Sequence, residues 1–117
     1  MLPKEFRLSL EKNFRRIKKY ARPLNTPYFT VLINRPPHSP GTSPNQTKIG
    51  FVVSTKVGKS TVRNRAKRLL SESVRLNLDK IPSGLELVFI IRSSAVEVGL
   101  EKIQPEVEKV LERIKSV

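Results

Sequence analysis

Six side chains within ten residues, Lys59, Arg63, Asn64, Arg65, Lys67 and Arg68, carry the chemistry most open to reading in this sequence. Arginine presents a planar fork to phosphate oxygens and lysine a mobile point charge, while an asparagine amide can donate and accept toward a 2′-hydroxyl or a base edge. Between residues 56 and 75 stand seven basic groups, Lys56 and Arg75 included, against one acid, Glu72. Charge of this density repels itself unless an anion answers it. The plainer alternative is the solvated face of an ordinary helix. Against it, almost no Glu alternates with the basic groups, and Arg outnumbers Lys. The whole chain leans the same way, with 23 basic and 10 acidic residues for a formal net charge of +13.

The remaining composition narrows the chemistry. There is no cysteine, which removes disulfides, thiolate nucleophiles and cysteine-based zinc sites. A single histidine, His38, leaves no second imidazole for paired acid and base catalysis. It sits in a Pro- and Ser-rich stretch that reads as an exposed loop over residues 35–47. RNA, DNA and an anionic membrane are the natural partners for such charge. No apolar run approaches the roughly 18 residues of a spanning helix, and the N-terminal residues show no signal-peptide pattern, so the expectation is a cytoplasmic protein. A length of 117 residues with 38% hydrophobic content suits one domain, residues 1–117, with a modest core.

These basic residues need elements to hold them. Residues 49–54 form a short apolar run that reads as a strand, Gly58 lets the chain turn, and the period then changes from two to 3.6. At 100° per residue from Val62, a core face gathers Ala66, Leu69, Leu70 and Val74. Asn64, Arg68, Ser71 and Arg75 fall opposite, with Arg65 and Lys67 on the flanks, and Ser60 is placed to cap the first turn. An earlier helix, residues 9–20, turns Leu10, Asn13, Phe14 and Ile17 one way and Lys12, Arg15, Arg16 and Lys19 elsewhere; Arg22 and Pro23 end it. Residues 28–34 read as a strand with residues 49–55 as its antiparallel neighbour, and residues 85–92 as a third. The helix of residues 60–77 between two strands makes a βαβ crossover plausible. A last helix is expected from Pro105, with Val107, Val110, Leu111 and Ile114 inward. The order is α-β-β-α-β-α.

Set in that order, Gly50-Phe-Val-Val-Ser-Thr-Lys-Val-Gly58 followed by Val62-Arg-Asn-Arg-Ala-Lys-Arg-Leu-Leu70 closely resembles the signature of the bacterial ribonuclease P protein subunit, whose hallmark is the triplet Arg63-Asn64-Arg65. The resemblance is strongest over residues 48–75 and weak beyond about residue 93. It implies an α+β fold: a single-domain α/β sandwich with a left-handed βαβ crossover, like the second domain of a small-subunit ribosomal protein, against the usual right-handed rule. It implies that Lys59, Arg63, Asn64, Arg65, Lys67 and Arg68 dock on the catalytic ribonuclease P RNA. It further implies a cleft for the single-stranded 5′ leader of precursor tRNA, with matching positions at Phe14, Lys18, Leu32, Val52, Ser54 and Lys56. The alternative for Phe14 is plain core packing.

Two departures stand out. Many relatives carry a second aromatic where this chain has Lys18, and a tyrosine where it has Leu32, which shifts the expected leader contacts from stacking toward phosphate attraction, with Tyr20 as a candidate substitute. The long loop at residues 35–47 is the other. The reaction implied is hydrolysis of one phosphodiester bond to release the leader, with a broadened substrate range. Mg²⁺ and the chemistry would belong to the RNA subunit, and no metal would be held tightly by the protein alone. Sulfate or phosphate is expected to bind the free protein near residues 59–65. The competing readings are a non-catalytic RNA-binding or ribosome-assembly module, which needs no leader cleft, and a stand-alone protein ribonuclease, for which His38 offers little.

Overall fold

The computed structural model describes residues 2–35 and 46–116. Its framework is a four-stranded sheet built from β1 (Arg22–Asn25), β2 (Phe29–Asn34), β3 (Lys48–Val53) and β4 (Glu86–Ile91), in the order β1-β2-β4-β3. Helices α1 (Leu10–Tyr20), α2 (Ser60–Arg75) and α3 (Leu100–Ser116) complete it. The expected α-β-β-α-β-α order holds, with the short β1 added after α1. That strand escapes a pattern search because Pro23 has no amide proton; Pro is tolerated here because β1 lies at the sheet edge.

The expected pairing of residues 49–55 with residues 28–34 does not occur. β4 lies between them, antiparallel to β2 and parallel to β3. The physical reason is burial: Leu87, Val88 and Phe89 are all fully buried, so both faces of β4 are covered, and an apolar run of that kind belongs in the sheet interior. β3, α2 and β4 thus form a βαβ unit between parallel neighbours.

Strand side chains alternate between faces. One face carries Phe29, Val31, Leu87, Phe89 and Ile49 into the main core with Ala66, Leu70 and Val74 of α2 and Val107, Val110 and Leu111 of α3. The Phe89 ring lies 5.5 Å from Phe29 and 5.5 Å from Phe51, which stacks on it. The opposite face, carrying Leu32, Val88, Ile90, Gly50 and Val52, receives α1. Ile17 and Val88 are fully buried outside the main cluster. A Cβ on Gly50 would stand 2.8 Å from Leu10 Cδ2, so the absence of a side chain there lets α1 sit close. One helix on one face and two on the other give the α/β sandwich.

Three local expectations are corrected. α3 begins at Leu100, ahead of Pro105, because Ile103 is buried and extends the apolar stripe back by a turn. Pro105 forfeits one bond near the helix start, to the carbonyl of the exposed residue Glu101, while the amides of Lys102 and Ile103 both reach Gly99 O. Ser60 is the first helical residue and no cap; Lys59 takes the cap position without a side-chain bond. Ser71 is buried, its hydroxyl donating to Arg68 O at 3.1 Å, so it does not face solvent. Of the expected 35–47 loop, residues 36–45, His38 among them, lie outside the described residues.

Candidate nucleic-acid interface

The sequence requires α2 to start abruptly, and Gly58 supplies the corner with φ of 150°, a conformation costly for any residue with a Cβ. Ala66, Leu70 and Val74 then fix the rotation of α2 on the sheet, and this turns Asn64, Arg65, Lys67 and Arg68 out to solvent. Lys59 is exposed at the cap. Arg63 is half-buried, with its Nε covered and unpartnered. A hollow of about 230 Å³ beside the helix start is lined by Val53, Ser60, Arg63, Asn64 and Lys67. With no acid in its first turn, α2 adds its own positive end to that field. Its one acid, Glu72, is engaged by Arg75, whose guanidinium holds the carboxyl below the usual range and is itself raised by the same hydrogen bonds. The acid therefore neutralises the end of the ridge and leaves its front untouched.

The second set of residues lies across the sheet. Phe14 is half-buried on the α1 stripe between Leu10 and Ile17, and the Lys18 ammonium sits 5.2 Å from its ring centre. Leu32 and Val52 lie half-buried on the face that α1 covers. Ser54 and Lys56 follow β3 in an exposed turn, where Ser54 Oγ accepts from the Lys56 amide at 3.2 Å. The structure thus gathers Phe14, Lys18, Leu32 and Val52 on one face, with Ser54 and Lys56 at the end of β3. Lys19, expected to point away, lies 5.3 Å from the exposed Tyr20 ring.

Sequence reading missed the group that sets this face. Arg16, expected to point away from the apolar face of the helix, grips Glu86 with both terminal nitrogens, at 2.7 and 2.8 Å. Asn34 Nδ2 donates to the same carboxylate at 2.9 Å, and Arg16 also donates to Asn13 Oδ1 at 2.8 Å. Glu86 is completely buried. Its hydrogen bond raises the Arg16 pKa above the ordinary value, against the lowering effect of burial. A bidentate pair of this kind fixes angle as well as distance, so α1 is pinned to the ends of β2 and β4. The signal available in sequence was a lone acid opening the apolar run of residues 86–91. Ile90, half-exposed on the same face beside Val52, was also missed.

Among the described residues, no three His, Asp or Glu side chains converge, and no helix is long and apolar enough to cross a membrane.

Comparison with known proteins agrees along almost the whole chain. The ribonuclease P protein component of Alkaliphilus oremlandii is 31% identical over 111 residues, covering 95% of this chain and 92% of the relative. That of Natranaerobius thermophilus is 37% identical over 101 residues, covering 85% and 83%. The structure of the RNase P protein from Thermotoga maritima superposes with a TM-score of 0.79 at 31% identity, covering 92% of this chain and 96% of that one. The family model described as Ribonuclease P spans residues 2–115, and with the ridge of α2 and the sandwich fold already in place, it makes this chain a member of the ribonuclease P protein family.

Proposed function

We propose that this subunit of the ribonuclease P endoribonuclease divides its work between two surfaces. The α2 ridge, Lys59, Arg63, Asn64, Arg65, Lys67 and Arg68, docks on the catalytic ribonuclease P RNA. The face under α1, with Phe14, Lys18, Leu32, Val52, Ser54 and Lys56, holds the 5′ leader of precursor tRNA. The observation that carries this reading is that α2 packs on one face of the sheet while Phe14, Lys18, Leu32 and Val52 gather on the other, with Ser54 and Lys56 at the end of β3 between them, so a protein bound to one RNA still offers a surface to another. Phe14 supplies a π-face that any base can stack on, and Lys18 brings a cation to the same ring. Leu32 offers apolar contact without an aromatic face, and this shifts affinity toward phosphate attraction.

The protein's physical task is to lower the repulsion between two polyanions held close together. Lysine and arginine contacts release condensed counterions and so strengthen both associations. Mg²⁺ enters with the RNA subunit and supplies the Lewis-acid chemistry of hydrolysis there. Such a subunit works in the cytoplasm, where precursor tRNA is made.

The test is cleavage of a precursor tRNA at low Mg²⁺ by a bacterial ribonuclease P RNA, with and without this protein, beside a protein-only reaction. Stimulation that needs the RNA is expected. Cleavage by the protein alone would move the active site onto this chain, and no effect in either reaction would leave a simple RNA-binding module.

A further inference from the structure

A groove of about 640 Å³ runs along the outer edge of β3, between α2 and the N-terminal segment. Its walls come from three parts of the chain. Leu2 and Leu8 stand on one side, Ile49 and Phe51 form the floor, and Asn64, Lys67 and Arg68 stand on the other. The volume falls within the range of about 300–1,000 Å³ typical of small-ligand pockets. Arg7, Lys67 and Arg68 line it, and no acid is among the described lining residues. Apolar below and cationic at the rim, it suits a flat ring carrying a negative charge.

The strand edge adds a second kind of recognition. Lys48 donates its amide to Leu85 O on the β4 side, at 2.9 Å, whereas Ile49 O accepts from the Leu8 amide on the outer side, at 3.0 Å. Backbone groups alternate along a strand. The Phe51 amide and carbonyl therefore point outward as well, toward the groove. The N-terminal segment meets β3 at Ile49 and then turns away into α1, so among the described residues no strand pairs with the outer edge of β3 beyond that point. A donor and an acceptor side by side match the edge of a nucleobase, and the exposed Asn64 amide offers another such pair.

We infer that this groove takes one unpaired nucleotide of the docked RNA, its base over Phe51 and against the open edge of β3, its phosphate on Lys67 and Arg68. The inference rests on the reading of α2 as the RNA-docking ridge and gives that ridge a specific seat. An extended peptide adding to the β3 edge is the competing occupant. Three basic groups with no acid among the described lining residues favour the nucleotide.

The test is an NMR titration of the full chain with uridine, adenosine, their 5′-monophosphates, inorganic phosphate and a blocked acidic-valine tetrapeptide. The expected result is that monophosphates shift the Leu8 and Phe51 amides, neutral nucleosides shift the same amides more weakly, and phosphate leaves them in place. Thr61 lines the groove from the exposed first turn of α2. Thr61→Leu should fill the groove and weaken the monophosphates about tenfold, the scale of one lost base contact. Shifts at Leu8 and Phe51 from the peptide alone, or nucleotide shifts confined to α2 and unchanged by Thr61→Leu, would overturn the inference. Running the cleavage assay in parallel separates the two failures. Stimulation without nucleotide shifts sinks the groove alone, and loss of both sinks the ridge reading with it.

Discussion

Phe14 and Arg16 sit two residues apart on α1 and meet different surroundings. Phe14 is half-buried, so its truncation removes an exposed ring edge and little core, and its effect should fall on binding. Phe14→Ala is expected to weaken affinity for leader-bearing precursor tRNA by about 1–2 kcal/mol while leaving affinity for mature tRNA nearly unchanged. Equal losses for both forms, in a binding titration with the assembled holoenzyme, would return Phe14 to the core. Arg16 is a stability residue first. Arg16→Ala leaves the Glu86 carboxylate completely buried, with the Asn34 amide still donating to it but the guanidinium gone, and should cost about 3 kcal/mol in urea unfolding. Glu86→Gln should cost less, because the introduced amide would keep a polar contact with Asn34 and the freed Arg16 side chain is 25% exposed and can reach water. The reverse ranking would mean that the pair is not what holds α1 down. Helical spacing set Phe14 on the face it shares with Leu10 and Ile17, but the partner of Arg16 was not legible, because the acid that claims it lies 70 residues away.

At the scale of the element, α2 is the part most fully written in the sequence. Its apolar stripe, the turn at Gly58 and the outward residues Asn64, Arg65, Lys67 and Arg68 follow from a 3.6-residue period and one glycine. Ser71 broke the pattern because a small hydroxyl can satisfy itself on the carbonyl three residues back and needs no water. β1 and the first turn of α3 were hidden by prolines, which usually mark the end of regular structure but here sit where a missing amide proton costs little. The ridge yields a prediction of its own. Arg65→Ala should weaken binding to ribonuclease P RNA by about 1 kcal/mol and make the dependence on salt shallower by roughly one unit of log–log slope. Filter binding across a range of KCl measures both, and an unchanged slope would show that Arg65 meets no phosphate.

At the scale of the whole molecule, a net charge of +13 on 117 residues works against compactness. Anions that bind the folded state should therefore stabilise it. Sulfate near residues 59–65 at about a hundredfold excess over its dissociation constant would add about 2.7 kcal/mol. A thermal melt at fixed ionic strength is expected to rise by several degrees with sulfate over chloride, and a flat response would remove the site. Sheet order was the part least visible in the sequence, because alternation tells which face a side chain takes and says nothing about which strand lies next door. That order governs how the chain can be made. β4, which lies between β2 and β3, is the last of the four strands to be synthesised, and Asn34 meets Glu86 across 52 residues. On the ribosome, β2 and β3 emerge before the strand that joins them. A chain stalled before residue 86 should remain sensitive to protease, and one extended past α3 resistant. Folding of the sheet thus waits for β4, because β2 and β3 have no shared partner until it emerges.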